Sequence, residues 1–396
     1  MKVAILKETG PGERRVAVTP DSVKQLKAAG VEILVEAGAG AGAYHSDAAY
    51  EAAGAVIESD TATLWKVADV VLKLQPPLAG GPGGKHEAEC PREGAVFVSF
   101  LKPNAALDVV RTFAARRISS FSMDLVPRTT RAQRMDALSS MATADGYKAV
   151  LLAALTAPRF FPMLVTAAGT IAPARVLVIG AGVAGLQAIA SARRIGAVVE
   201  GYDIRPAVKE EVESLGATFV GPKLSAEETQ DAQGYAKALS EEARAKAQEL
   251  LRARIPHADV IITTARVPGL KAPRLISAED VSKMKPGSVI VDLAADQGGN
   301  CELTEMGRDV VAHGVTILGP VQLAATVPVH ASQMYSRNIT ALFLLMVKNG
   351  ALNLDFNDDI IRDTCVTHDG QVMHAPTRER LEGGQPAAAG AAGSRP

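Results

Sequence analysis

The feature that most constrains the fold is a glycine triplet set between an apolar run and a helical pattern. Residues 175–190 read RVLVIGAGVAGLQAIA, which places glycines at positions 180, 182 and 185. In such a motif, Gly180 permits a tight turn after a buried strand, Gly182 lets the backbone approach a ligand, and Gly185 lets the following helix pack closely. The pattern therefore predicts a β-strand, a turn and a helix that belong to a parallel, helix-covered sheet.

The next apolar run, Val198–Tyr202, ends directly before Asp203, which stands 18 positions after the last glycine. A carboxylate at this place can accept the ribose hydroxyls of NAD and would repel the 2′-phosphate of NADP. The helix start at Val183 and Ala184 offers unpaired amides to a pyrophosphate. The motif predicts an NAD(H) site, in which Arg205 would weaken the preference for NAD over NADP. The alternative is a turn of the same shape that binds no nucleotide.

A second glycine-rich stretch, Ala37–Gly42, also follows a predicted strand. It lacks the spacing of the first motif, and no acidic residue ends the strand that comes after it. We therefore interpret it as a tight turn and not as a nucleotide site.

Alternation of short apolar runs with helical patterns occurs twice along the 396 residues. This arrangement predicts an α/β fold with two doubly wound, parallel-sheet (Rossmann-like) domains joined by long helices. The predicted strands are Val3–Leu6, Val31–Val35, Val70–Leu74, Val96–Leu101, Ile118–Met123, Val176–Ile179, Val198–Tyr202, Val260–Thr264, Val289–Leu293 and Val315–Leu318. The predicted helices are Pro20–Ala29, Ala105–Arg116, Met135–Leu155, Ser225–Arg252 and Ala331–Lys348. We expect a discontinuous first domain (1–135 plus 331–381), a nucleotide-binding domain (136–330) and a disordered tail (382–396).

Composition excludes several classes of function. The formal net charge is −1, and no block of lysine and arginine suggests a surface for nucleic acid. No uninterrupted apolar run approaches the ~20 residues that a membrane-spanning helix needs. The three cysteines (Cys90, Cys301 and Cys365) and seven histidines share no metal-ligand spacing, so we expect no bound metal.

Residues 126–140, VPRTTRAQRMDALSS, carry an Arg-x4-Gln-x2-Asp pattern formed by Arg128, Gln133 and Asp136. Together with the glycine motif and residues 284–292, MKPGSVIVD, this segment resembles the alanine dehydrogenase/transhydrogenase family. The resemblance extends from Lys2 to about Gly370. Within the family, the chain is most similar to the NAD(H)-binding α (domain I) subunit of the proton-translocating NAD(P) transhydrogenases.

The resemblance implies roles for individual residues. Arg128, Gln133 and Asp136 would hold the nicotinamide end of NAD(H) and act in catalysis, and Ser139 would contact its carboxamide. Read from the residues alone, other roles remain open. Arg128 could pair with a surface carboxylate, Gln133 could be solvated, and Asp136 with Ser139 could cap a helix.

The resemblance also implies partners and a reaction. Gly234 and Tyr235 match the tip of a mobile loop that closes over the nucleotide. Hydride would pass directly, with Si–Re (AB) stereospecificity, between NAD(H) and NADP(H) held by a β subunit, while a membrane-spanning subunit translocates a proton. The implied chain is a homodimer that lies in the cytoplasm at the inner face of the membrane.

Two other functions are compatible with parts of the sequence. An NAD-dependent alanine or amino-acid dehydrogenase of the same family needs a cation on the substrate oxygen and an acid/base group. Where those relatives have a lysine and a histidine, this chain has Gln75 and Lys102, although Arg15 and Asp296 stand at matching places. The third candidate is a protein that binds NAD without catalysis.

Overall fold

The computed structural model describes residues 1–222, 240–266 and 271–383 of the chain. The described residues divide into two compact units, one formed by residues 1–141 with 327–383 and one by the described part of residues 142–326. Residues 384–396 of the predicted tail lie outside the described residues. Each unit is built on a predominantly parallel sheet, so the predicted α/β, Rossmann-like fold class is confirmed. Within the described ranges, no helix has the length and apolar character that crossing a membrane requires.

The strands, numbered in chain order, have these bounds: β1 Lys2–Ile5, β2 Glu32–Glu36, β3 Val56–Glu58, β4 Val70–Leu72, β5 Val96–Ser99, β6 Ser119–Ser122, β7 Leu164–Thr166, β8 Gly169–Ile171, β9 Arg175–Ile179, β10 Val198–Tyr202, β11 Thr218–Val220, β12 Val260–Thr263, β13 Val289–Asp292, β14 Asp309–Ala312, β15 Val315–Leu318, β16 Val347–Lys348, β17 Ala351–Leu352, β18 Cys365–His368 and β19 Gln371–Val372. The described α-helices are α1 Pro20–Ala28, α2 Asp47–Ala53, α3 Thr61–Val67, α4 Leu107–Ala115, α5 Ala137–Thr156, α6 Val183–Arg194, α7 Lys209–Ser214, α8 Glu241–Arg252, α9 Ala278–Ser282, α10 Pro328–Leu345, α11 Asp359–Thr364 and α12 Ala375–Glu382.

The first unit contains an eight-stranded sheet in the order β19-β18-β6-β5-β4-β1-β2-β3. Strands β1 to β6 pair in parallel, while β18 and β19 add an antiparallel edge. The order runs from β1 through β3 in one direction and from β4 through β6 in the other. The carboxyl edge between β1 and β4 is therefore the point at which open α/β sheets commonly bind ligands.

The second unit contains a seven-stranded sheet in the order β11-β10-β9-β12-β13-β15-β14. All pairs are parallel except β14 with β15. Its central strands β9, β12 and β13 are buried on both faces and support two buried clusters, one packed around Val178 and Ile189 and one around Ile261 and Ile290. Here the strand order reverses between β9 and β12, and β9 is the strand that leads into the glycine motif.

The observed elements agree with most of the predicted ones to within a few residues, and two strands, Val198–Tyr202 and Val315–Leu318, have the predicted bounds. The predicted helix Ser225–Arg252 is seen over Glu241–Arg252, and residues 223–239 lie outside the described residues. The strands that were not predicted are β3, β7, β8, β11, β14, β16, β17, β18 and β19. They are short strands at or near sheet edges. Strands β3 and β14 are also only partly buried, so these two strands lack the apolar run that marked the central strands.

Candidate nucleotide-binding site

The glycine motif forms the turn between β9 and α6 at the reversal point of the second sheet. Gly180 has φ of 98°, a conformation that side chains other than glycine rarely adopt. Its carbonyl oxygen lies only 1.7 Å from where a Cβ on Gly185 would stand, so that third glycine is needed for the helix to pack against the turn. The roles predicted for these two glycines are structural, and the geometry fits them.

Gly182 differs from its two neighbours in the motif. Its φ of −81° and ψ of −168° are accessible to any residue. A Cβ added there would meet no atom within 4 Å. Because neither backbone strain nor packing requires glycine at this place, the open space above Gly182 is the feature expected of a backbone that a diphosphate must approach.

Helix α6 begins at Val183, immediately after Gly182, and runs for 12 residues. The amides of its first turn have no acceptors within the helix, and its dipole presents partial positive charge at this end. Val183 is 41% exposed and Ala184 half-buried. Gly146 of α5 lets the two helices approach, because a Cβ there would lie 2.1 Å from the carbonyl oxygen of Ala184.

Asp203 follows β10 and is tied directly to the glycine turn. Its Oδ2 accepts a hydrogen bond of 2.8 Å from the backbone amide of Ala181, between the first two glycines. The side chain is nearly buried and also forms an ion pair with Arg205, at 2.8 Å between Nη2 and Oδ2. The hydrogen bonds from Asp203 hold the pKa of Arg205 above its usual value. The structure thus joins the predicted phosphate turn and the predicted ribose carboxylate into one unit.

A third strand end supports the turn. Thr264 follows β12, and its hydroxyl donates to the carbonyl oxygen of Gly180 over 2.9 Å. Nothing in the spacing of Thr264 from the glycine motif marks it as a supporting residue, since 84 positions separate it from Gly180. Adjacent parallel strands bring the two together.

The loop that carries Gln133 lies in the first unit and is a 3₁₀-helix over Thr130–Met135. Ala132 and Met135 are buried, and the side-chain amide of Asn338 donates to the carbonyl oxygen of Arg134 over 2.8 Å. Gln133 stands exposed between these anchors. The loop therefore presents the amide of Gln133 while its neighbours fix the backbone.

An ion pair adds a further anchor to this loop. The guanidinium of Arg131 contacts both Asp358, at 2.5 Å, and Asp359, at the start of α11. The hydrogen bond from Arg131 lowers the pKa of Asp358 to about 2. The sequence does not reveal this contact, because 227 residues separate the partners.

Asp136 and Ser139 form a helix cap, which is the other role that the sequence allowed for these two residues. The backbone amide of Ser139 donates to Asp136 Oδ1 over 2.9 Å, and its hydroxyl donates to Oδ2 over 2.6 Å. Arg128 is exposed at the other end of the loop. The predicted loop-tip residues Gly234 and Tyr235 lie outside the described residues.

Three of the residues at positions of the dehydrogenase pattern are bonded to other side chains of the protein. Arg15 is held by Glu13 through Nε at 2.8 Å and Nη2 at 2.6 Å, and Gln75 donates to the same carboxylate over 2.5 Å. Burial alone would raise the pKa of Glu13, but the hydrogen bonds and charge of Arg15 hold it below its usual value. Asp296 is paired with Arg266 at 3.1 Å.

Among residues 1–222, 240–266 and 271–383, no three His, Cys, Asp or Glu side chains converge as a metal site requires.

Comparison with known proteins defines the family to which the chain belongs. The profile for "Alanine dehydrogenase/PNT, N-terminal domain" matches residues 4–144, and that for "Alanine dehydrogenase/PNT, C-terminal domain" matches residues 149–375. The chain belongs to this family, as the resemblance predicted.

Within this family, the chain is more similar to the transhydrogenases below than to the alanine dehydrogenase. The chain is 46% identical to the first part of NAD(P) transhydrogenase subunit alpha of Rhodospirillum rubrum, over 94% of this chain and 98% of that protein. The crystal structure of transhydrogenase from Sinorhizobium meliloti is similar with a TM-score of 0.85 and 42% identity, covering 94% of this chain and 100% of that one. An alanine dehydrogenase of Halomonas elongata is more distant, at 29% identity over 96% of each chain.

Proposed function

We propose that the chain is the NAD(H)-binding subunit of a proton-translocating NAD(P) transhydrogenase. The observation that carries the proposal is the open backbone at Gly182, joined through Ala181 to the carboxylate of Asp203. This arrangement supports the binding of a nicotinamide dinucleotide, with its diphosphate at the start of α6. The relatives named as transhydrogenase subunits support the reaction.

The reaction we propose is direct exchange of a hydride: NADH and NADP⁺ give NAD⁺ and NADPH, or the reverse. Two electrons and one hydrogen nucleus move together from ring to ring, so no protein group has to donate or accept a proton. Orientation of the rings and exclusion of water are the main requirements. Arg128, Gln133, Asp136 and Ser139 would orient the nicotinamide, and the exposed amide of Gln133 on its anchored loop supports this role.

The remaining aspects of the proposal follow from the family. NADP(H) would be bound by a β subunit, and a membrane-spanning subunit would couple the transfer to proton translocation. We also propose Si–Re (AB) stereospecificity, a homodimer, and a position at the inner face of the cell membrane through these partners. Gly234 and Tyr235 would close over the bound nucleotide. We retain 1–135 plus 331–381 and 136–330 as the functional domains.

An amino-acid dehydrogenase is the second candidate, and the engaged side chains count against it. Arg15 and Gln75 both bind Glu13, and Asp296 binds Arg266, so these three side chains already have partners within the protein. Reduction of an imine would also need an acid/base group, and Lys102 stands where the dehydrogenases have a histidine.

The deciding experiment measures nicotinamide exchange. NADPH and an NAD⁺ analogue with shifted absorbance are mixed with the chain, with and without its purified NADP(H)-binding partner subunit. We expect transfer only when the partner is present. Oxidation of NADH with pyruvate and ammonium by the chain alone would instead establish a dehydrogenase.

In the same assay, Gln133→Ala tests the role of the loop. We expect transfer to slow by about a hundredfold with a much smaller change in the Kd of NADH, because an orienting amide acts mainly on geometry. Arg134→Ala, which shortens the next exposed side chain, is the matched control and should leave the rate unchanged. Equal losses of rate and NADH affinity in Gln133→Ala would contradict the assignment, and loss of binding alone would favour a protein that only binds NAD.

A further inference from the structure

The carboxylate of Asp203 is already saturated by hydrogen bonds from the protein. Oδ1 accepts from the backbone amide of Arg205 at 2.9 Å and from its Nε at 3.0 Å. Oδ2 accepts from the backbone amide of Ala181 at 2.8 Å and from Nη2 of Arg205 at 2.8 Å. An ionised carboxylate offers about four lone-pair positions. All of them are filled in this structure, and the side chain of Arg205 fills two.

The pair is also sheltered, with side-chain exposures of 6% for Asp203 and 16% for Arg205. In a partly desolvated place, a bidentate arginine–carboxylate pair is strong and nearly cancels the negative charge. A ribose that approaches Asp203 therefore meets a neutral, fully bonded group and not a free carboxylate. This differs from the simple site in which the acidic residue alone selects NAD.

The geometry points to Arg205 as a second determinant of nucleotide selectivity, which competes with the adenosine ribose for Asp203. This inference rests on the proposed NAD(H) site. The 2′-hydroxyl can donate to Asp203 only after the guanidinium releases one of the two oxygens. The displaced cation stays two residues from the carboxylate and offsets its charge, so the repulsion of a 2′-phosphate is weakened.

The alternative is that Arg205 only braces the glycine turn through Asp203. The backbone amides of Ala181 and Arg205 each bond one carboxylate oxygen, and neither depends on the side chain at position 205. Removal of the guanidinium therefore leaves one donor on each oxygen and frees two lone pairs. A brace would affect every nucleotide alike, whereas a competitor would affect nucleotides according to their 2′ group.

The experiment measures the Kd of the full chain for NADH, NADPH and a 2′-deoxyadenosine analogue of NADH, in wild type and Arg205→Ala. We expect the preference for NADH over NADPH to rise at least about tenfold, because like charges then face each other at the 2′ position. The penalty for removing the 2′-hydroxyl should also rise, since the freed lone pairs now accept from it. Arg308→Ala, which removes an exposed arginine from the same unit, is the control for net charge and should change neither ratio.

Arg205→Lys keeps the charge without the planar bidentate contact, and it serves if the alanine variant does not fold. It should raise the 2′-hydroxyl penalty while changing the NADH/NADPH ratio less than alanine would. The contrary result is a folded variant that still binds NADH with the wild-type NADH/NADPH preference and the wild-type penalty for removing the 2′-hydroxyl. That result would overturn the inference and leave the proposed function standing. Failure of the wild-type chain to bind NADH would overturn both.

Discussion

The carboxyl edges of the two parallel sheets have the same topology and opposite character. Both sheets reverse strand order between their first and fourth parallel strands, β1 and β4 in one unit, β9 and β12 in the other. At the second edge the chain places glycine, an open backbone and a carboxylate. At the first edge it places charged side chains that bond one another and are buried. Topology thus marks where a ligand could bind, and the residues after the strands decide whether the place is open.

The closed edge is formed by a buried charge cluster, which consists of Glu8, Lys73 and Glu87. Lys73 Nζ lies 2.6 Å from Glu87 Oε2 and 3.6 Å from Glu8 Oε2, and its side chain is fully buried. Glu8 Oε1 also accepts from the backbone amide of Leu74 at 2.6 Å, and the Tyr335 hydroxyl donates to the carbonyl oxygen of Lys73. These internal bonds satisfy the polar groups that would otherwise require water or a ligand.

The largest effect that would sharpen this comparison is the loss of Lys73. Lys73→Ala should lower the free energy of unfolding by about 3–5 kcal/mol, because the buried carboxylate of Glu87, and that of Glu8 when it is ionised, lose their only cation in the cluster. NADH binding by the folded variant should stay unchanged, since the cluster belongs to the closed edge. Urea unfolding and NADH titration measure the two properties.

Lys66→Ala is the matched control for that substitution, because it removes an exposed lysine from α3 in the same unit. This control substitution should leave the free energy of unfolding almost unchanged. A loss below about 1 kcal/mol in Lys73→Ala would show that the cluster is not the electrostatic core of this edge.

The pH dependence of the cluster gives the next effect in size. Burial raises the pKa of Glu8 from 4.5 to about 7. Between these values the folded chain keeps a proton that the unfolded chain releases, so the contribution of Glu8 to stability is full below pH 4.5 and is lost as the pH rises through 7. The change is on the order of 3 kcal/mol.

Comparison of wild type with Glu8→Gln tests this dependence, because glutamine does not titrate. The stability of wild type relative to the variant should fall as the pH rises from 4.5 to about 7 and should be constant above that window. Chemical denaturation at half-unit pH steps supplies the data. Parallel stability curves for the two proteins would refute the prediction.

Much of the fold and of the open edge could be predicted because the relevant signals are local. The central strands are continuous apolar runs, and the glycine spacing with Asp203 lies within one β-α-β unit. Strands β18 and β19 could not be predicted in this way, since both are short and β18 pairs with β6 from a distant part of the chain. Local patterns report local structure, and pairings over long separations leave no periodicity.

The site shows the same limit at the level of side chains. The sequence places Arg205 two residues from Asp203, but its bidentate geometry is set by the backbone after β10 and is not visible in spacing. The contact of Arg131 with Asp358 joins positions 227 residues apart. The closed state of the first edge was also not predicted, because single charged residues such as Lys73 reveal their burial only when the strands are assembled.

Two glycine substitutions provide the smallest effects and the most direct test of the comparison. Gly182→Ala should leave stability within about 0.5 kcal/mol, since the new methyl meets nothing within 4 Å, but it should weaken NADH binding at least about tenfold by filling the space that we propose for the diphosphate. Gly40→Ala, in the turn Ala37–Gly42, should do the reverse. Its methyl would lie 2.6 Å from the Tyr50 ring and 2.8 Å from the carbonyl oxygen of His45, which costs about 1–3 kcal/mol of stability without a change in NADH affinity. Thermal unfolding and NADH titration of both variants separate the cases, and a loss of affinity in Gly40→Ala as large as in Gly182→Ala would mean that the two edges do not differ in function.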